Sequence, residues 1–223
     1  MTPNRIINHI IIQSFQNENF GLFYGRMGFA ITFYTLGSRF QEDLYSNYGN
    51  ELLESILMNL DRTTPKDFAN GLCGIGWGIE YLIHNGFIEC ASDNLLEEFD
   101  KIIIKEKLDI SDLSLESGME GLFHYILAHI NGCAARNEKI PFNETYLTYL
   151  YQQVSNFQIS LKPDLKVLTN AYVKWYQNKE LSYSFNLEQF IEPYTIAEPL
   201  NTNPLFLHEG LSGYIITTEK NTL

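Results

Sequence analysis

A chain of 223 residues that is 45% hydrophobic and 14% aromatic can bury a sizeable core and reads as globular, one domain or at most two. Its 27 acidic against 15 basic side chains give a formal net charge of −12, which argues against general affinity for nucleic acid or an anionic membrane surface. Three cysteines, Cys73, Cys90 and Cys133, form neither a disulfide framework nor a C-x-x-C metal knuckle, and fit a reducing compartment.

In chain order, MTPNRIINHIIIQSF carries one Arg and isoleucines interrupted by Asn8 and His9, without the continuous apolar core and cleavage site of a signal peptide. No run reaches the ~20 apolar residues that span a bilayer, so the expectation is a soluble, cytoplasmic protein without membrane insertion. GRMGFAITFYTL, from Gly25, reads as a helix with no polar face, stopping at Gly37-Ser38. The next helix is amphipathic, with Leu44, Tyr48, Leu52, Leu53, Ile56, Leu57 and Leu60 on one face. GLCGIGWGIEYL, from Gly71, repeats the apolar type and stops at Asn85-Gly86; Leu95, Leu96, Phe99, Ile102 and Ile103 form the next amphipathic stripe. GMEGLFHYILAH, from Gly118, stops at Asn131-Gly132, and Asn143 suits the N-cap of a helix bearing Tyr146, Leu147, Leu150, Tyr151 and Val154. DLKVLTNAYVKWYQ, from Asp164, runs to Asn178; SFNLEQFIEPY after it is short, and GLSGYIITTEKN begins the last element at Gly210. Strand signals are scarce, limited to a few alternating residues at 183–185 and 194–196.

The G-x-x-G pairs Gly25/Gly28, Gly71/Gly74, Gly118/Gly121 and Gly210/Gly213 start 46, 47 and 92 residues apart, the last interval being twice 46. Stepping 46 from Gly118 lands on Asp164, so the chain contains five units, the fourth without its glycines. Each glycine inside a helix costs roughly 1 kcal/mol against alanine. The spacing predicts that these glycines remove bulk where helices crowd and leave backbone N–H groups exposed at the positive helix end. Apolar helices inside amphipathic ones predict an all-α fold over residues 1–223, an α/α toroid of about five helix-hairpin repeats, with a stacked α-solenoid as the rival.

Candidates for chemistry gather near the helix starts. Glu116, Glu120 and Glu209, with Glu80 deeper in its helix, suit the paired carboxylates of a glycan-acting enzyme, or simply accompany helix dipoles. His124 and His129 lack the H-E-x-x-H pattern and read as satisfied core histidines. Arg26, the only cation inside a motif, suits a substrate carboxylate or phosphate, or a salt bridge to a neighbouring unit. Tyr24 and Trp77 belong to a tyrosine-rich set, most of it core, some of it suited to lining a peptide or glycan cavity. GLCGIG follows no strand and precedes no Lys-Ser or Lys-Thr, so it is no phosphate loop.

YGRMGFAITFY, GLCGIGWGIEYL, SGMEGLFHYI and HEGLSGYII, in phase over residues 21 to 217, resemble the lanthionine synthetase C-like (LanC-like) family. The resemblance implies an α/α toroid, of seven repeats in active cyclases, whose inner-helix starts surround a peptide cavity. There a zinc ion held by two cysteines and a histidine stabilises a substrate thiolate, which adds to a dehydrated serine or threonine and closes a thioether ring. The family places these ligands just before the motif glycines, where this chain has Phe23-Tyr24, Ala69-Asn70, Glu116-Ser117, Lys162-Pro163 and His208-Glu209. His208 and Glu209 take the places of the family's Cys-His pair, and Cys73 lies inside a motif rather than before it. The resemblance therefore implies a protein of a lantibiotic-type peptide pathway without the zinc-dependent cyclase site, with no cofactor assigned, that binds a peptide or a maturation enzyme. The alternatives are an enzyme with altered chemistry, using Glu209 or Glu116 as base and His208 as acid or holding zinc at His208 and Glu209, and a glycan-acting toroid. Five repeats in place of seven predict an open arc, covered by a completing chain or by self-association.

Overall fold

The alternation of glycine-led and amphipathic segments is realised as helices in the computed structural model, which describes residues 2–61, 63–89, 92–105, 109–157, 162–181 and 183–218. Cys90 and the final five residues of the last predicted helix lie outside the described residues. The helices are α1 (Pro3–Ser14), α2 (Arg26–Phe40), α3 (Asp43–Asn59), α4 (Leu72–His84), α5 (Ser92–Ile103), α6 (Met119–Arg136), α7 (Glu144–Phe157), α8 (Pro163–Asn178) and α9 (Leu211–Thr218). Two 3-10 turns, Leu187–Phe190 and Leu200–Thr202, interrupt the segment before α9. The fold is all-α: among the described residues the only strand-like feature is an isolated bridge between Leu205 and Gly210, and 183–185 and 194–196 are irregular.

Two compact units divide the chain, one of Met1–Thr64 with Asn186–Leu223 and one of Pro65–Phe185. In the first, α2 packs along α3 and α9, and α1 lies on α9. Ile6, Ile7 and Ile10 form the buried stripe of α1, at helical spacing. Arg39, in the last turn of α2, donates to the carbonyls of Ile215 and Ile216 at 3.4 and 2.9 Å. Leu211, Ile215 and Ile216 of α9 are buried. The first and last glycine-led helices are therefore neighbours. On α3 the buried face is Gly49, Leu52, Leu53 and Ile56, whereas Leu44, expected on it, is 71% exposed.

In the second unit α6 packs between α4 and α8, α5 lies on α4 and α6, and α7 on α8. Pro163 at the start of α8 supplies a preset helical φ, so the fourth repeat begins a helix in phase without glycine. Asp164 lies in its first turn.

The other four repeats share one helix start. Gly25, Gly71, Gly118 and Gly210 are the N-caps. The first helical N–H, of Arg26, Leu72, Met119 and Leu211, donates to the carbonyl seven residues back, on Asn19, Pro65, Asp112 and Pro204, at 2.8, 2.8, 2.9 and 2.9 Å. A Cβ on any of these N-cap glycines would overlap the same loop, and one on Gly28, Gly121 or Gly213 would overlap the carbonyl six residues back, on Leu22, Leu115 or Leu207. The glycines at these positions are thus required by a loop curled onto the helix start. Gly74, the corresponding second glycine of the second repeat, is buried within the first turn of α4, a core position in place of the exposed helix end expected of it. The expectation of free N–H groups at these ends is corrected: the loop carbonyls fill them.

In each unit two helix starts are also tied together. The N–H groups of Phe68 and Ala69 both donate to the Glu116 carbonyl, at 2.9 and 3.0 Å, joining the second repeat to the third. Leu207 and His208 donate in the same way to the Phe23 carbonyl, at 3.1 and 3.4 Å, joining the fifth to the first. Each pair occupies the third and second positions before its motif glycine, and each acceptor the second position before the motif glycine of the repeat it joins.

Two expected helix stops are internal. α2 continues past Gly37 to Phe40 and turns at Gln41 (φ 55°), and α6 continues past Gly132 to Arg136 and turns at Asn137 (φ 58°). Gly37 faces Ser46 of α3 and Gly132 faces Glu80 of α4, each too closely for a Cβ. Asn85-Gly86 ends α4 as expected, with Gly86 at φ 70°.

Candidate functional site

One charged side chain, Glu80, interrupts the apolar surface of α4, and it is fully buried. Tyr125, His129 and Cys133 recur every four residues on α6 and so share a stripe; all three are buried. Asp100 lies between Phe99 and Ile103 on the buried face of α5. These residues meet within the second unit. His129 Nδ1 is 2.7 Å from Glu80 Oε1 and Nε2 is 3.2 Å from Asp100 Oδ2. The Tyr125 hydroxyl donates to Asp100 Oδ1 at 2.7 Å. Arg136 donates from Nη1 and Nη2 to the two oxygens of Glu80, at 3.0 and 3.1 Å, and its Nε lies 2.9 Å from Glu138 Oε2. Cys133 Sγ is 3.6 Å from His129 Nδ1.

With a carboxylate at each ring nitrogen, His129 donates from both and is an imidazolium. Burial opposes that charge, but the bonds to Asp100, Cys133 and Glu80 outweigh it and hold the pKa well above the usual histidine value. Burial, then the neighbouring Asp100, pushes the Tyr125 hydroxyl far up, so Tyr125 stays a donor. Buried charges that are mutually paired and hydrogen-bonded escape the penalty of isolated ones, and removing one partner exposes that penalty.

A cavity of about 460 Å³ opens beside this cluster, with Asp100 in its wall. Glu97, Lys101 and Ile104 line one side and the α6–α7 connection, including Lys139, Pro141 and Phe142, the other. Phe142 has φ 67°, a costly conformation for a bulky residue. Its ring stands edge-on to Tyr125 and His129, at 6.0 and 5.8 Å between centroids. Lys101 is bridged to Glu97 and Glu98 at 2.9 and 2.8 Å, and these carboxylates raise its pKa. This cavity follows the C-terminal end of α6, whereas sequence reasoning looked to the helix starts.

A second polar group is neutral. Trp77 Nε1 donates to the Tyr183 hydroxyl at 2.6 Å, which is 3.0 Å from His124 Nδ1. Burial pushes the His124 pKa down to about 3. The ring is therefore neutral, and the Tyr183 hydroxyl donates to it.

The residues singled out from the sequence fall as follows. In the first unit, His208 Nδ1 donates to the Phe190 carbonyl and its ring stacks on Phe23 at 4.4 Å. Glu209 is exposed. Tyr24 packs edge-on to Phe206 and His208, and its carbonyl accepts from Asn17. Arg26 donates to the Asn17 carbonyl and the Ser55 hydroxyl and lies over Phe20. It clamps the loop before α2. In the second unit, Glu116 is exposed and joins repeats through its carbonyl. Glu120 is half-buried, with its pKa raised by burial and then by Asp164 at the start of α8. Trp77 and Cys73 are buried, so the expected rim positions are core positions. His124 and His129 are satisfied core histidines, as expected. Asp100, Tyr125, Cys133 and Arg136 were not singled out as partners. The available signal was a charged residue on an otherwise apolar stripe, as at Glu80 and Asp100.

No family model, curated protein or solved structure matches this chain.

Proposed function

We propose that this chain is a LanC-like α/α toroid of a peptide-modification pathway that binds a peptide or a maturation enzyme and lacks the family's zinc-dependent cyclase site. The observation that carries the reading is the recurrence of one helix start, loop carbonyl to first helical N–H with glycine at both motif positions, at Gly25, Gly71, Gly118 and Gly210. The bonds from Leu207 and His208 to Phe23 repeat those from Phe68 and Ala69 to Glu116. They support the reading that neighbouring helix starts are joined in the same way in each unit. The family's ligand positions support a non-cyclase role, because none holds cysteine and His208 is engaged with Phe190 and Phe23. A net charge of −12 favours a peptide with a basic segment.

The test is incubation with a synthetic precursor carrying a basic leader, dehydrated serine or threonine, and cysteine. Binding is read by fluorescence anisotropy and cyclisation by loss of alkylatable thiol. The expected result is salt-sensitive binding with every thiol retained. Thiol loss into a thioether overturns the non-cyclase reading, and absence of binding overturns the peptide-binding one.

A further inference from the structure

Glu80, His129 and Cys133 bring carboxylate, imidazole and thiol donor atoms to within 4.8 Å of one another in a buried place. We propose that these three side chains form a binding site for a divalent transition-metal ion, with zinc as the best fit. The inference goes beyond the peptide-binding reading and does not rest on it. The donors lie about two to four turns inside α4 and α6, away from the residues that precede the motif glycines.

Mixed sulfur, nitrogen and oxygen donors are zinc's, and a set of three leaves a fourth position for an exogenous ligand. With bonds of about 2.3 Å to sulfur and about 2.0–2.1 Å to nitrogen and oxygen, a tetrahedral zinc needs edges of about 3.6 Å for S–N and about 3.3 Å for N–O. The Cys133 Sγ to His129 Nδ1 distance is 3.6 Å. The Glu80 Oε1 to His129 Nδ1 distance, 2.7 Å, is that of a hydrogen bond; it opens by about 0.6 Å when the ion replaces the proton, within reach of small side-chain rotations.

The surroundings are those a zinc ligand set requires. A ligating histidine normally gives its other N–H to a carboxylate; here Nε2 faces Asp100, which Tyr125 holds in turn. Arg136 orients the Glu80 carboxylate through both oxygens, Nη1 on Oε2 and Nη2 on Oε1, and a carboxylate oxygen with more than one lone pair can accept that bond and face the ion as well. Binding releases two protons, from His129 Nδ1 and Cys133 Sγ, in exchange for two positive charges, so the formal charge of the buried cluster is unchanged. Gly132 keeps a Cβ out of the space beside the Glu80 carboxylate. Arg136, the last residue of α6, connects the cluster to solvent, its side chain being 21% exposed.

The test is metal binding by the full chain after chelator dialysis, with zinc titrated against a chromophoric competitor and cobalt(II) used as a spectroscopic substitute. Wild type is expected to take up about one equivalent of zinc and to give, with cobalt, a near-ultraviolet thiolate-to-metal band. Cys133→Ser should abolish that band and weaken zinc binding by at least ~10-fold, and Asp100→Asn should weaken it ~10–100-fold, both with native circular dichroism. His208→Ala should bind as wild type does. No zinc uptake by wild type, or uptake unchanged in Cys133→Ser, overturns the site. If Cys133→Ser fails to fold, the wild-type cobalt spectrum decides: the thiolate band supports the site and its absence overturns it. Zinc lost in His208→Ala but kept in Cys133→Ser places the metal at a motif start and overturns this site and the ligandless reading together. The reverse pattern supports the buried site and leaves the peptide-binding reading untouched.

Discussion

At Gly132, in the interior of α6, the chain does without a Cβ, and the space is taken by the Glu80 carboxylate from α4. In an exposed helix, alanine at such a position would add roughly 1 kcal/mol of stability. Here the added methyl displaces a carboxylate held by His129 and Arg136, so the sign reverses. Gly132→Ala is expected to lose about 2–4 kcal/mol in urea denaturation, the scale of a disturbed buried ion pair. His124 makes a pH-dependent contribution of definite sign. Its folded pKa of about 3 lies below the unfolded reference of 6.5, so the unfolded chain binds the proton more readily. The contribution is fully present above pH 6.5 and is lost as pH falls towards 3, by up to about 1.4 kcal/mol per unit. His124→Gln keeps an acceptor for Tyr183 without titrating. Relative to wild type, its stability difference between pH 7 and pH 5 should shrink by about 2 kcal/mol, read from parallel denaturant curves.

At the scale of the element, the two kinds of glycine separate cleanly. A Cβ on Gly28 meets the Leu22 carbonyl and comes within 2.9 Å of Leu207 Cβ, and a backbone oxygen held in a loop does not yield. Gly86 has nothing within 4 Å and a left-handed backbone, so Gly86→Ala costs only the conformational term, about 1–2 kcal/mol. Gly28→Ala should cost about 3 kcal/mol, and the two melting temperatures, measured side by side, test the ordering. This contrast also explains what the sequence disclosed. The phase of the glycine pairs and the alternation of helix types were legible because they depend on local periodicity. Gly37 and Gly132 misled, because a glycine that ends a helix and one that admits a neighbouring side chain look alike in one dimension. The apolar residue three before the first glycine at Leu22, Leu115 and Leu207 was visible, but its carbonyl's approach to the helix depends on the loop's curl. The ionic cluster was the least legible part, since Glu80, Asp100 and His129 come from three helices whose register no local pattern fixes.

At the scale of the whole molecule, the first unit is assembled from Met1–Thr64 and Asn186–Leu223. Its integrity therefore depends on α9, which packs against both α1 and α2. Deleting residues 211–223 should strip amide protection from α1, α2 and α3 in hydrogen exchange while the amides around Glu80 and His129 stay protected. Loss of protection in both units at once would show that they unfold as one. The second unit closes on itself from consecutive helices, whereas the first requires partners about 200 residues apart in the chain to meet. During synthesis the opening three helices consequently wait for the last one. At 5–20 residues per second the delay between residue 64 and residue 216 is roughly 8–30 s, a window in which the isoleucine-rich α1 has its Tyr48 bonds to α3 but not its packing on α9, and is open to chaperones.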